Sequence, residues 1–268
     1  MSDEYWQRQD KKAIFPDILW NTPEQKTKAG KLAIIGGNSN SFRTVAEATA
    51  TAVHLGVGTV TTILPSSLKS KVPHAPGLAF AEAANAGSFS SKSFDSLFAA
   101  INDSNLTLLA GDLSRNSETT ELISKLIASS VAPIVATRDA VDTFSTNPSL
   151  LAREGITIVA TMPQLQSLFK AVHYPRPLLL SQPLMPVVET LHKFTTSYPI
   201  TIATLHSEQI IVTNDGKITT TPLASTDYTP ISLMSGTYAT TIATLLLWNS
   251  SKPLEATTTA ALYHPATE

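Results

Sequence analysis

Apolar and polar positions along the chain alternate with two different periods, which predict strands followed by helices. The run "KLAIIGG" (31–37) predicts a strand, and the Ala-rich "RTVAEATATAVHLG" (43–56) predicts a helix that Gly56 ends. The β-branched run "VGTVTTILP" (57–65) predicts a second strand. This strand–helix–strand order favours a parallel pair of strands joined by a right-handed crossover.

The same alternation continues to the end of the chain. Further strands are predicted at "LTLLAG" (106–111), "APIVATRDA" (132–140) and "GITIVAT" (155–161), and helices at "SETTELISKLIASS" (117–130), "PQLQSLFKAV" (163–172) and "MPVVETLHKFTTS" (185–197). The runs "PITIATL", "EQIIVTND" and "KITTTPL" differ, because "NDGK" (214–217) is a hairpin-type turn. Two helical stretches, 235–250 and 253–264, close the chain. The pattern therefore predicts an α/β fold with a mostly parallel sheet and an antiparallel edge hairpin.

Composition narrows the partners that can be expected. The 268 residues are 43% hydrophobic, with a net charge of −2, a pI near 6.3 and no block of Lys or Arg. We therefore expect neither nucleic acid nor a membrane as a partner. No cysteine is present and the six His are scattered, so we expect no metal site. The N-terminus has charges where a signal peptide needs an apolar core, which predicts a cytoplasmic protein.

Three stretches carry candidate chemistry, and each has a structural alternative. Gly36, Gly37 and Asn38 match neither a dinucleotide-binding fingerprint nor a P-loop; they form either a ligand turn or a plain strand-to-helix connection. The small residues Ser235, Gly236 and Thr237 precede an apolar helix. They form either an anion site or an ordinary helix cap.

Two carboxylates form the third candidate. Asp112 and Asp139 follow predicted strands, at positions where an acid binds hydrated magnesium or acts as a base. Acids in loops are also commonly solvated and without a function.

The order of the segments resembles a known family. "GKLAIIGGNSNSFRTV" followed by "AEATATAVHLGVGTVTTILP" is similar, without a gap, to a "G.VLVIGGS..Y.GAP" opening and an Ala-rich helix that ends in "AGAGLVTV". The segments "LTLLAGDLS", "PIVATRDAV", "ITIVATMPQLQSLF", "TIATLHSEQIIVTNDGKI" and "SLMSGTYATTIATLLL" then follow in that family's order. The chain thus resembles the ribokinase-like NAD(P)H-hydrate dehydratase family, which also forms the C-terminal half of YjeF-type proteins.

The resemblance implies a fold, a set of ligands and a division of the chain. It implies a ribokinase-like three-layer α/β/α domain over 30–268, with 1–29 as an N-terminal extension that packs on it. It implies ADP or ATP, with Mg²⁺, as cofactor and NAD(P)H hydrate as substrate, and a homo-oligomer. Residues 235–237 would bind the nucleotide, and the substrate side would comprise Gly36, Gly37, Asn38, Arg43 and Asp112.

The chain departs from the family at its functional positions. Tyr238 stands where the family has a catalytic Asp, and a phenol with a pKa near ~10 is a poor proton acceptor at neutral pH. The family's His and Glu of "TPHPGE" are replaced within 160–165, and its Lys is replaced by Leu205. Thr137 stands at the first Asp of the family's "DADA", which leaves Asp139 as the match for the second. Arg43 puts a charge where the family leaves room for substrate.

These departures leave three functional hypotheses. The first is a nucleotide-dependent dehydratase that works through altered residues. The second is a module that binds a nucleotide without catalysis, and the third is a divergent small-molecule kinase. Function depends on the site and not on the scaffold, so the fold does not choose among them.

Overall fold

The computed structural model describes residues 4–223 and 236–263, and within them one ten-stranded sheet runs through the molecule. Its strands are β1 (Trp6–Arg8), β2 (Lys31–Gly36), β3 (Thr59–Pro65), β4 (Leu78–Ala81), β5 (Leu106–Gly111), β6 (Ile134–Thr137), β7 (Ile156–Val159), β8 (Ile200–His206), β9 (Gln209–Asn214) and β10 (Lys217–Pro222). Their order is β1-β10-β9-β8-β7-β6-β5-β2-β3-β4.

Helices cover both faces of this sheet. They are α1 (Asp17–Trp20), α2 (Arg43–His54), α3 (Phe94–Asn102), α4 (Ser117–Ser129), α5 (Asp142–Thr146), α6 (Met162–Ala171), α7 (Leu184–Ser197), α8 (Gly236–Trp248) and α9 (Pro253–Ala260). Among the residues described, no helix is both long and apolar enough to cross a membrane.

Two apolar cores lie between the sheet and its helices, one on each face. Successive strand residues point to opposite faces, so Ile34 belongs to one core and Ile35 to the other. The core that contains Ile35 packs under α3 to α7, and the core that contains Ile34 packs under α1, α2, α8 and α9. The predicted three-layer α/β/α architecture is confirmed.

The strand pairing also confirms a mostly parallel sheet with an antiparallel hairpin toward one side. β9 pairs antiparallel with both β8 and β10, and the turn between β9 and β10 lies at Asp215 and Gly216, as predicted. One strand lies beyond the hairpin, because β1 from the N-terminal region pairs parallel with β10. The hydrophobic pattern did not indicate β1, β4 or α3, which are short or follow irregular segments.

Candidate functional site

The order in which the chain adds strands to the sheet reverses between β2 and β5. From β2 the chain moves to β3 on one side, and β5 lies on the other side, so the strand order switches at β2 and β5. We call the edge of the sheet at the carboxyl ends of these two strands the crevice. Open α/β sheets bind ligands at such a point. Gly36 lies opposite Gly111 there, and a Cβ on Gly36 would stand 2.5 Å from the Gly111 carbonyl oxygen. Glycine at position 36 therefore lets the two strands meet closely below the crevice.

The turn after β2 is tied to the loop after β5. The side-chain amide of Asn38 donates to the carbonyl oxygen of Asp112 over 2.6 Å, and the Ser41 hydroxyl donates to Asp112 Oδ2 over 2.8 Å. Asn38 Oδ1 accepts from the backbone N–H groups of Asn40 and Ser41. Asn38 therefore has the structural role expected of a turn residue, and the same contacts hold Asp112 at the crevice.

Asp112 forms an ion pair with an arginine that directly follows β6. Its side chain is 8% exposed, and Oδ1 accepts from Arg138 Nη2 over 2.9 Å. Gly111, Asp112 and Arg138 have φ values of 86°, 55° and 55°. Two adjacent loops thus contain non-glycine residues in the left-handed region, which costs of order 1–3 kcal/mol each and is concentrated in functional sites.

Asp139, next to Arg138, is the second carboxyl of the crevice. Its Oδ2 accepts from the backbone N–H of Leu113 over 2.8 Å, while Oδ1 is buried and has no hydrogen-bond partner among the described residues. Burial, followed by the negative charge of Asp112, raises the pKa of Asp139 above its usual range. A carboxyl of raised pKa beside a crevice is chemically suited to accept a proton or a ligand hydroxyl.

Two long helices begin side by side at this edge of the sheet. A Cβ on Gly236, the first residue of α8, would stand 2.2 Å from the carbonyl oxygen of Thr44 in the first turn of α2. No side chain caps the N-terminus of α2, and Thr237 lies half-buried in the first turn of α8. The positive ends of two helix dipoles therefore converge, which favours an anion. Ser235 lies outside the described residues.

Two predicted site residues have other surroundings, one exposed and one buried in the apolar core. Arg43 Nε lies 2.7 Å from Glu47 Oε1 on its own helix, and its side chain is 87% exposed. Tyr238 is 1% exposed within the apolar core that also contains Val45 and Ala48. Burial raises the pKa of Tyr238, so its phenol is neutral at physiological pH.

The structure thus brings together part of the predicted site. Gly36, Gly37, Asn38, Asp112 and Asp139 meet at the crevice, and Gly236 and Thr237 lie at the adjoining helix N-termini. Their roles in binding stay predictions. Residues 4–223 and 236–263 contain no group of three or more His, Cys, Asp or Glu that could hold a metal ion.

Sequence reasoning missed three residues of the crevice network: Ser41, Arg138 and Gln164. Ser41 lies in the stretch "GGNSNSF", where nothing indicates a contact with an acid 71 residues further along the chain. Arg138 directly precedes Asp139 in "ATRDA", yet nothing in that string indicates a left-handed residue that turns back toward Asp112. The sequence places Gln164 at the start of a predicted helix, but it does not indicate that Gln164 contacts the loop after β6.

Comparisons with known proteins give structural likeness without sequence likeness. No protein-family model matches the chain, and no curated protein matches it. Solved structures superpose on most of it, including the following three. A ribokinase-like superfamily protein from Enterococcus faecalis is 16% identical over 98% of this chain and 87% of its own, with a TM-score of 0.68.

The other two structures contain nucleotides. The ADP/ATP-dependent NAD(P)H-hydrate dehydratase of Bacillus subtilis, co-crystallised with ATP and Mg²⁺, is 11% identical over 94% of this chain and 86% of its own, with a TM-score of 0.61. An ADP complex of Bacillus subtilis pyridoxal kinase is 13% identical over 86% and 88%, with a TM-score of 0.53. At these identities the likeness establishes the fold alone.

Proposed function

We propose that this chain, which has the ribokinase-like fold, binds an adenine nucleotide at the crevice between β2 and β5 and does not dehydrate NAD(P)H hydrate. One observation carries the proposal. Tyr238, at the position that matches the family's catalytic Asp, is 1% exposed in the apolar core, and burial raises its pKa. A neutral phenol buried in the apolar core cannot take over the proton transfer of a carboxylate.

Anion binding is supported by the helix N-termini rather than by a basic cluster. The first turns of α2 and α8 are in contact, and the Arg43 side chain in the first turn of α2 is paired with Glu47. The free N–H groups of a helix start bind phosphate without a cationic side chain. The likeness to the ATP-bound dehydratase and the ADP-bound pyridoxal kinase agrees with this proposed ligand.

Magnesium would arrive with the nucleotide rather than in a site formed by protein side chains. Mg²⁺ usually binds to one or two carboxylates together with substrate phosphates, and it keeps several waters. Both oxygens of Asp112 are already engaged within the protein, Oδ1 by Arg138 and Oδ2 by Ser41. One oxygen of Asp139 is engaged by the Leu113 N–H. The carboxyl pair is therefore suited to water-mediated contact with a nucleotide-bound ion.

The proposal is tested by measuring binding and turnover on the same preparation. Saturating ADP or ATP with Mg²⁺ should raise Tm by about 5–10 °C, because ligand at about 100 Kd adds roughly 2.7 kcal/mol of stability. With NADH hydrate and either nucleotide, no recovery of NADH absorbance is expected. Lys31→Ala, which removes an exposed cation at the amino end of β2, should show the same Tm shift as the unchanged protein.

Two results would overturn the proposal. The absence of a Tm shift with both nucleotides would contradict nucleotide binding. Recovery of NADH that depends on ADP or ATP would show that the dehydratase reaction survives without the family's carboxylate.

A further inference from the structure

Gln164 lies at the start of α6 and makes contacts in two directions. Its Oε1 accepts from the backbone N–H of Thr161 over 3.1 Å, and its own N–H donates to Thr161 Oγ1, which completes a capping box. Its side-chain nitrogen Nε2 turns away from the helix. Nε2 donates to the carbonyl oxygen of Arg138 over 2.7 Å and to Asp142 Oδ1 over 3.1 Å.

The carbonyl that Gln164 binds belongs to the strained residue of the crevice. Arg138 has a φ of 55°, and its guanidinium pairs with Asp112. The next residue, Asp139, accepts from the backbone N–H of Leu113. A left-handed non-glycine residue persists only where its surroundings hold it, and the Gln164 amide is one of the groups that hold this one.

The capping role and the contact with Arg138 have different chemical requirements. Capping the helix needs an acceptor at position 164, and Glu serves as well as Gln in that role. Binding the Arg138 carbonyl needs a donor, which only the amide nitrogen supplies. Asp142 Oδ1 beside it would also repel a carboxylate.

We propose that Gln164 is a positioning residue, whose amide nitrogen fixes the turn at Arg138 and thereby the placement of Asp112 and Asp139 at the crevice. Its consequence for ligand affinity rests on the proposed nucleotide binding. Its consequence for the geometry of the loops does not. The two consequences are therefore measured separately.

Gln164→Glu separates positioning from capping. Amide hydrogen exchange resolved by residue should show the Leu113 N–H exchanging about tenfold faster, since the Asp139 carboxyl that accepts from it is no longer held in place. The amides of α6 should keep their exchange rates because the cap is intact. ADP affinity should fall about tenfold.

Thr161→Ala is the matched control. It removes the capping hydroxyl and leaves the Gln164 amide free to bind Arg138, so it should lower Tm while Leu113 exchange stays within about twofold of that of the unchanged protein. Should Gln164→Glu not fold, the comparison of Gln164→Ala with Thr161→Ala makes the same separation, since both weaken the cap and only the first loses the donor.

The outcomes distinguish this proposal from the proposed function. Leu113 exchange that is unchanged in Gln164→Glu, or a rise that the α6 amides share equally, overturns the positioning role. If the unchanged protein does not bind ADP, the proposed function fails, whereas the exchange measurement still decides on Gln164.

Discussion

At the scale of single residues, the crevice is held by polar contacts between loops that are distant in the sequence. Asp112 lies 71 residues after Ser41 and 26 before Arg138, and it binds both. Asp139 differs, because only one of its oxygens is paired within the described residues. Because the pKa of Asp139 is raised in the folded state, it makes the free energy of unfolding depend on pH, which can be measured.

Asp139→Asn should stabilise the protein relative to the unchanged chain, and increasingly so as pH rises. The pKa of Asp139 is raised in the folded state, so above about pH 3.8 the folded state binds more protons than the unfolded state. The free energy of unfolding therefore falls as the pH rises and the carboxyl ionises. Asparagine can still accept from the Leu113 N–H and carries no charge beside Asp112. Urea unfolding of both proteins between about pH 3.5 and 7 measures the difference.

Asp103→Asn provides a control for the change of charge alone, since Asp103 is exposed and pairs with Lys31 at the other end of the sheet. If the free energies of unfolding of Asp139→Asn and the unchanged protein differ by the same amount at every pH, or by less as pH rises, a raised pKa at Asp139 is contradicted.

At the scale of elements, Gly236 has two roles where α2 and α8 meet, one in packing and one in the proposed anion site. Gly236 was predicted as part of a nucleotide-binding turn, and the structure gives it a packing role as well, because the Thr44 carbonyl and the Ala48 N–H lie where its Cβ would be. The close approach of the helices is also what brings their N-termini together. The packing role and the proposed anion site are therefore compatible.

Gly236→Ala should destabilise the protein by about 1–3 kcal/mol, the usual cost of forcing an extra carbon into a packed contact. The added Cβ would stand 2.2 Å from backbone oxygen, which cannot move aside as a side chain can. Urea unfolding measures the loss. Thr237→Ala, one residue along and half-buried, is the matched control and should change stability by less than about 0.5 kcal/mol. Equal stability of Gly236→Ala and the unchanged protein would refute the close contact.

At the scale of the whole molecule, the N-terminal region contributes to the sheet and to one of its cores. β1 pairs with β10, and Ile18 of α1 is buried in the core that contains α8 and α9. Gln9 is fully buried, and its Nε2 donates to Thr221 Oγ1 over 3.1 Å and to the Thr258 carbonyl over 2.8 Å. These contacts join the N-terminal region to the sheet and to α9, while the division of the chain into an extension over 1–29 and a domain over 30–268 stays a prediction.

Gln9→Ala should cost about 1–3 kcal/mol of unfolding free energy, because it removes the two buried hydrogen bonds that the Gln9 amide donates to Thr221 Oγ1 and to the Thr258 carbonyl. Gln7→Ala is the control two residues earlier in β1, since Gln7 is exposed and should have an effect within about 0.5 kcal/mol. Chemical denaturation of the two variants in parallel makes the comparison. A loss at Gln9 no larger than at Gln7 would show that the N-terminal region does not stabilise the domain. The homo-oligomer and the cytoplasmic location stay predictions.

Periodicity in the sequence was enough to predict most of the fold. Alternating strand-like and helical runs determined the parallel α/β order, and the "NDGK" turn determined the hairpin. These features are local, because the repeat of apolar positions and the turn residues act within a few neighbours. The same reasoning placed Gly36, Gly37, Asn38, Asp112 and Asp139 at the ends of strands, and the sheet brought them to one edge.

Only the tertiary structure decided how those residues are used. The pairing of Arg138 with Asp112, the contact of the Gln164 amide with the β6 loop and the burial of Tyr238 in the core each depend on segments that are distant in the chain. A side chain at the end of a strand or in a helix can point into a crevice, toward solvent or into the core with the same local sequence. Its direction is determined by what packs against it, and that information is not local.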